Sequence, residues 1–437
     1  MPGRKPHSPR RRILNPAWLP VSLQRPVSRR HFLETTMRSA VILGGAGAVL
    51  SCPGWLRDLL EHATTAVSAA TTSDLLKRAP LARYWIAANA EEVRCALCHA
   101  PDDGVTGTVH AHAEKFVKCL LCAQGCVIEE GERGKCRSRM NVAGELRSLV
   151  YGRPATIHVD PIEKKPFYHF LPGSEAFSMA TTGCPLHCRF CQNWELSQAS
   201  PEDYESEFIP AGRIVEATED QSAPVIAFTY NEPTVFIEYL TDIAREARAR
   251  GIRSVIVSCG FMNEDPLTEM CSVLDGVKID LKGYDRDFYR SVCSAELDPV
   301  LRSIRQVAAS GVHLEIVNLV VPTLNDSEKM LTALVKWIAD DLGPDVPVHF
   351  TRFHPDYQLL NLPPTPVSTL EKAYEIARAH GLHYPYVGNV PGHPGNHTHC
   401  PRCGKIVVAR SNFFVQEKHV KDGHCEYCGE RIAGVWS

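Results

Sequence analysis

Three cysteines lie within eight residues of one another in the stretch Thr182-Gly183-Cys184-Pro185-Leu186-His187-Cys188-Arg189-Phe190-Cys191-Gln192-Asn193-Trp194. The C-x3-C-x2-C spacing lets one loop present three thiolates, and soft sulfur ligands select iron–sulfur chemistry. The loop supplies no fourth cysteine. Three corners of a cubane [4Fe–4S] cluster are thus provided for and one iron is left open, and an open iron beside a pocket is a place where a small molecule can chelate and react. A structural zinc or a ferredoxin-type loop is the plainer use of such a triplet.

The chain carries 17 cysteines, an odd total, and most sit in close-spaced clusters, which read as metal ligands rather than disulfide partners. Cys119, Cys122, Cys126 and Cys136 offer four thiolates, enough for zinc, which would only fold the segment, or for a second, fully ligated cluster able to relay electrons. The structural metal is the simpler expectation of the two. Upstream, Cys95-x2-Cys98 partly repeats the Cys119-x2-Cys122 knuckle; with His99 it also fits a c-haem attachment pattern, which the repeat explains better. His110 and His112 read as an exposed loop. Near the carboxyl end, Cys400-x2-Cys403 and Cys425-x2-Cys428 lie 21 residues apart, each pair followed by a glycine, Gly404 or Gly429. Two such knuckles build a tetrahedral zinc site. Cys259, Cys271 and Cys293 stand alone and read as small buried hydrophobes.

The elements that must position these groups are legible in the apolar pattern. Short β-branched runs at 176–182, 224–230, 254–258, 277–281, 313–321 and 348–353 read as buried strands. Between them, leucines, isoleucines and alanines at three- and four-residue spacing predict helices over 234–250, 299–310, 327–342 and 369–380. Gly251, Gly311, Gly343 and Gly381 follow the four, where a left-handed cap is expected. Strands alternating with helices mean a parallel sheet with right-handed crossovers. A full or partial parallel (β/α) barrel, with its chemistry at the carboxyl ends of the strands, is the natural closure. A doubly wound open sheet fits the same periodicity.

With 437 residues the chain has room for two or three folding units. The expected division is a targeting segment and connector (1–75), a cysteine-rich module (76–150), a barrel (151–390) and a zinc-ribbon-like module (391–437). Apolar residues make up 44% and charged residues 22%, as in soluble globular proteins, and 47 basic against 50 acidic residues give no electrostatic case for nucleic acid. Near the amino terminus, Ser28-Arg29-Arg30-His31-Phe32-Leu33 precedes a short apolar run from Ala40 to Leu50. This resembles a twin-arginine export signal, with Glu34 a departure from its pattern. The run is too short to span a bilayer comfortably, so the expectation is export to the periplasm or the outer face of the cytoplasmic membrane, or else a cytoplasmic protein with a basic tail, and no integral membrane span.

The triplet's spacing, with Phe190 before its third cysteine, resembles the signature of radical S-adenosylmethionine (SAM) enzymes. Six further stretches resemble the radical enzyme of the AmmeMemoRadiSam system, a relative of the pyruvate formate-lyase activases. They are Gly131–Gly134, Asp160–Pro166, Tyr168–Gly173, Phe190–Trp194, Thr229–Pro233 and Ile279–Lys282. The resemblance, which spans roughly residues 90–437, implies an oxidoreductase in which SAM binds the open iron, an electron breaks its sulfur–C5′ bond, and the 5′-deoxyadenosyl radical takes hydrogen from a substrate. It implies as partners a small-molecule or protein substrate and an external one-electron donor such as flavodoxin or ferredoxin. By position it implies that Glu232 receives the methionine ammonium with support from Asn231, and that Ser258 and Gly260 allow close approach of the ligand. Asp280 and Lys282 then position SAM and the acceptor, and Asn318 and His354 face the adenosine. The Asp160–Pro166 run, otherwise read as a solvated charged face, gains a place near the barrel mouth. A glycyl-radical activase acting on a partner protein and a non-catalytic electron-transfer protein are the competing functions.

Overall fold

A computed structural model of the chain describes residues 71–87 and 115–437. The twin-arginine stretch, Cys95, Cys98, His99, His110 and His112 lie outside them. The cysteine-rich preface folds as an antiparallel sheet of β1 (Trp85–Ala87), β2 (Val117–Cys119) and β3 (Val127–Ile128), followed by a hairpin of β4 (Arg139–Val142) and β5 (Glu145–Ser148).

The main sheet begins with β6 (Thr156–Pro161), paired antiparallel to β7 (Glu175–Ala180). Helices then alternate with parallel strands: α1 (Ala211–Asp220), β8 (Val225–Phe228), α2 (Ile237–Ala249), β9 (Arg253–Ser258), α3 (Glu264–Val273), β10 (Gly276–Asp280), α4 (Leu297–Ser310), β11 (His313–Val320), α5 (Glu328–Leu342), β12 (Val348–Arg352), α6 (Val367–Ala379) and β13 (Pro385–Gly388). The strands lie side by side in chain order from β6 to β13 with no reversal. A doubly wound sheet reverses at a switch point, whereas repeated crossovers of one hand lay each new strand on the same side and curl the sheet. The fold is therefore a partial parallel (β/α) barrel, open because β6 and β13 do not pair with each other among the described residues.

Local sequence explains the elements. Every residue of β8 (Val-Ile-Ala-Phe) is buried, as expected of a parallel strand covered on both faces. Helix α4 buries Leu297, Val300, Leu301, Ile304 and Val307, one apolar stripe, and ends at Gly311 in the left-handed conformation (φ 80°, ψ 0°). Helix α5 starts where the Ser327 side chain accepts from Met330 N at 3.3 Å. Gly343 differs from the expected cap: its φ of 87° goes with a ψ of 177°, a combination open essentially to glycine alone, and the chain leaves that helix extended.

The two-residue alternation of the strands sorts barrel interior from helix-facing core. Lys278 and Asp280 of β10, Glu315, Val317 and Leu319 of β11, and His349 and Thr351 of β12 share the inner face. At the amino end of the barrel Glu315 is fully buried and accepts four hydrogen bonds, from Tyr168 N (3.0 Å), His169 N (2.8 Å), His313 Nε2 (3.0 Å) and His349 Nε2 (2.7 Å). Burial pushes its carboxyl up, but the two histidine hydrogen bonds outweigh that and hold it far below the usual range. The carboxyl-terminal module, β14 (Thr398–His399), β15 (Ile406–Ser411), β16 (Phe414–Lys418), β17 (Val420–Lys421) and β18 (His424–Cys425), docks on the same loop. The Arg410 guanidinium donates to Tyr168 O at 2.7 Å, and Leu171 N to Val435 O at 2.7 Å.

Candidate functional site

The triplet loop leaves the carboxyl end of β7 through Gly183, whose φ is 94°. A Cβ there would stand 2.2 Å from Ser138 Oγ and 2.3 Å from Cys136 O, so only glycine allows the loop to rest on the preface. Backbone hydrogen bonds fix its course: Gly183 N to Leu196 O (3.0 Å), His187 N to Cys293 O (3.1 Å) and Arg189 N to Val292 O (2.9 Å). So held, Cys184, Cys188 and Cys191 line a cavity of about 420 Å³.

The same cavity is lined by Phe190, Asn231, Glu232, Ser258, Asp280 and Lys282, which come from the carboxyl ends of β8, β9 and β10 and from the triplet loop itself. Glu232 Oε1 accepts from Ser258 Oγ (2.9 Å) and Thr234 Oγ1 (2.6 Å), and Oε2 from Cys259 N (2.7 Å). A carboxylate offers about four lone-pair directions, so Oε2 keeps capacity for a further donor. Asn231 Nδ2 donates to Gly183 O at 3.1 Å, tying its strand end to the triplet loop, while its buried Oδ1 has no hydrogen-bond partner. Burial pushes the Asp280 carboxyl up, but the Lys278 and Lys282 ammonium groups win and hold it down at about 2. Lys282 Nζ lies 5.7 Å from the centre of the Phe190 ring, which stacks on Phe288.

Gly260, Asn318 and His354 do not line the cavity. A Cβ on Gly260 would meet Ile279 Cγ2 at 2.8 Å, so its smallness serves packing against β10. Asn318 is buried and donates to Leu281 O at 2.8 Å, bridging β11 to the end of β10. His354 is exposed beyond β12.

Several residues in or beside the cavity were not among the candidate site residues read from the sequence. Lys278 is nearly buried and paired with Asp280. Cys259 and Cys293, read as inert hydrophobes, are buried against Cys184 and Cys188 respectively; Cys271 is only half-buried. Lys164 and Lys165 line the cavity from the turn between β6 and β7, and the register of Pro161 against Glu175 puts that turn at the amino end of β7 rather than at the mouth. Lys165 is buried, with Nζ 2.8 Å from Asp160 Oδ2 and 2.9 Å from Tyr230 Oη. Burial pulls its ammonium down to about 8 against the pull of Asp160. Tyr230 has φ 70°, a left-handed backbone that costs a bulky residue about 1–3 kcal/mol and is held by its hydrogen bond to Asp160 (2.7 Å).

Both accessory quartets come together. Cys400, Cys403, Cys425 and Cys428 bring their sulfurs within 4.8 Å of one another. Cys119, Cys122, Cys126 and Cys136 line a second, more enclosed cavity, with Pro185 in its wall.

A family model described as the radical SAM superfamily matches residues 179–335. An uncharacterized protein of Methanocaldococcus jannaschii is 41% identical over 318 residues, covering 72% of this chain and 95% of that protein. The pyruvate formate-lyase-activating enzyme of Staphylococcus epidermidis is 23% identical over 47% of this chain and 89% of its own length. The isethionate sulfite-lyase activating enzyme of Desulfovibrio desulfuricans is 29% identical over 24% of this chain and 35% of its own.

Proposed function

The chain belongs to the radical SAM superfamily, and we propose that Cys184, Cys188 and Cys191 hold a [4Fe–4S] cluster at which SAM is cleaved reductively to abstract hydrogen from a substrate. The observation that carries this is the convergence of three thiols with Glu232, Asp280 and Lys282 on one cavity at the carboxyl ends of the strands. When bound, the cluster supplies an open iron for the methionine end of SAM and the electron that breaks the sulfur–carbon bond. The donor set fits such a group: three soft sulfurs, and a buried Asn231 Oδ1 that lacks a donor.

The chain's own residues bind and orient. Glu232, steered by Ser258 and the Cys259 amide, offers a carboxylate to the ammonium of methionine. Asp280, ionised between two lysines, accepts hydrogen bonds from a polar ligand, and Lys282 presents a cation toward a carboxylate. Phe190 walls the loop from water. The six motif stretches support placing the chain in the AmmeMemoRadiSam branch.

Anaerobic reconstitution and reduction should yield methionine and 5′-deoxyadenosine from SAM, and the triple variant Cys184→Ala/Cys188→Ala/Cys191→Ala should yield neither. Continued 5′-deoxyadenosine formation by that variant would show that the cleavage belongs elsewhere. The names of the two activating-enzyme relatives favour a second reading, in which a partner protein is the hydrogen donor. Deuterium carried into 5′-deoxyadenosine from a backbone-labelled protein supports it, and deuterium carried there from a labelled small molecule excludes it. A protein that only carries electrons would keep an unchanged cluster spectrum when SAM is added.

A further inference from the structure

We propose that Cys119, Cys122, Cys126 and Cys136 hold a second [4Fe–4S] cluster, ligated entirely by protein sulfur, with Pro185 of the triplet loop in its wall. Spacing in the sequence leaves zinc and cluster open; the arrangement of the sulfurs separates them. With Zn–S bonds of about 2.3 Å, a tetrahedral zinc holds its sulfurs about 3.8 Å apart. The carboxyl-terminal quartet has that span, with Cys400 and Cys428 sulfurs at 3.6 Å and those of Cys403 and Cys425 at 3.9 Å. Among the described residues it is the one group of three or more Cys, His, Asp or Glu side chains drawn within 4.8 Å. The preface quartet is not so drawn. Its sulfurs stand apart, as those of Cys184, Cys188 and Cys191 do, around an enclosed cavity of about 20 Å³ where the triplet's holds about 420 Å³. A wider ring suits a cubane, whose four irons alternate with four sulfides and hold the protein sulfurs farther apart than one metal ion does.

The wall supplies a second, independent sign. Apart from the cysteines it is largely apolar, with Leu121, Ile128, Pro185 and Val235. Arg139 also lines it, fully buried, with one terminal nitrogen donating to Arg83 O at 2.7 Å and the other paired with Glu238. Its Nε–H has no hydrogen-bond partner. A metal-bound thiolate or an inorganic sulfide in this cavity would accept from it, so the buried donor fits an occupied metal centre.

Place then suggests use. Pro185 follows Cys184 directly, and its carbonyl accepts from Gln124 Nε2 at 2.9 Å; Ser138 Oγ donates to Thr182 O at 3.0 Å. One electron from a reduced donor of the flavodoxin or ferredoxin class enters the preface cluster and leaves it for the triplet's, with no bond or proton changed. This relay rests on the function proposed above; the existence of the second cluster does not.

The test uses the full chain, reconstituted anaerobically with iron and sulfide. The triple variant lacking Cys184, Cys188 and Cys191 should retain about four irons and four acid-labile sulfides per chain, with a reduced-state paramagnetic resonance signal that SAM leaves unchanged. About two zincs and no sulfide in that variant would overturn the proposal. Should the variant fail to fold, the wild type decides: about eight irons support the second cluster, and about four irons beside two zincs refute it. Cys119→Ala/Cys126→Ala should remove half the wild-type iron while the remaining signal still shifts with SAM. A chain with eight irons that never cleaves SAM would sink the function proposed above and leave this site standing.

Discussion

At the residue scale the cavity is governed by charges held in place by other side chains. Glu232 is positioned by Ser258 and the Cys259 amide before any ligand arrives, so Glu232→Gln keeps the shape and removes the charge. We expect SAM affinity to fall by about 1.5–3 kcal/mol, roughly 10- to 150-fold, in a calorimetric or spectroscopic titration, with iron content unchanged. Lys165 titrates near 8 in the folded chain against an ordinary 10.5. Its folded value is the lower one, so between these pH values the unfolded chain binds more protons and this group adds stability as pH rises. Lys165→Met should flatten that part of the rise in urea midpoint from pH 8 upward relative to wild type; parallel curves would show that Lys165 is not so shifted. The triplet cysteines were legible because their type and spacing carry chemistry, whereas Glu232 came only through the family resemblance and its place after a strand. Lys278 was not legible, although its two-residue step to Asp280 and then Lys282 places all three on one face of a strand and its exit. Lys165 was hidden for another reason: a charged run reads as solvated until a neighbour such as Asp160 is seen to pair with it in three dimensions.

At the scale of elements, the loop after β7 is the part least able to tolerate change. Gly183→Ala would drive a methyl group into Ser138 and the Cys136 carbonyl. We expect a destabilisation of about 2–5 kcal/mol, read as a lower melting temperature, together with poor iron incorporation at both cysteine sites. A variant that loads and melts like wild type would show that the loop and the preface can separate. Six strands and four helices were legible as buried β-branched runs and amphipathic stripes. Four elements of the main sheet and its covering helices were not. Strand β6 mixes His158 and Asp160 into its alternation, β13 is only four residues long, α1 has a narrow apolar face, and α3 carries Pro266 in its first turn. In each case tertiary packing supplies what local pattern lacks.

At the scale of the molecule, the carboxyl-terminal module reaches the cavity. Phe413, between β15 and β16, lines it together with Asn389, which follows β13. No spacing in the sequence announced this, because the wall is set by how the module docks on the Tyr168–Leu171 loop. Cys403→Ser should leave the triplet's iron in place yet raise 5′-deoxyadenosine formation relative to substrate consumption, and Phe413→Ala should do the same with little change in melting temperature. Tight coupling in both variants would show that the module stands clear of the reaction. The docking also sets a schedule. The triplet loop leaves the ribosome long before Phe413 does, so a nascent chain carries its reactive sulfurs in a chamber still lacking a wall. Only when that module has folded and seated itself does the chamber gain its wall.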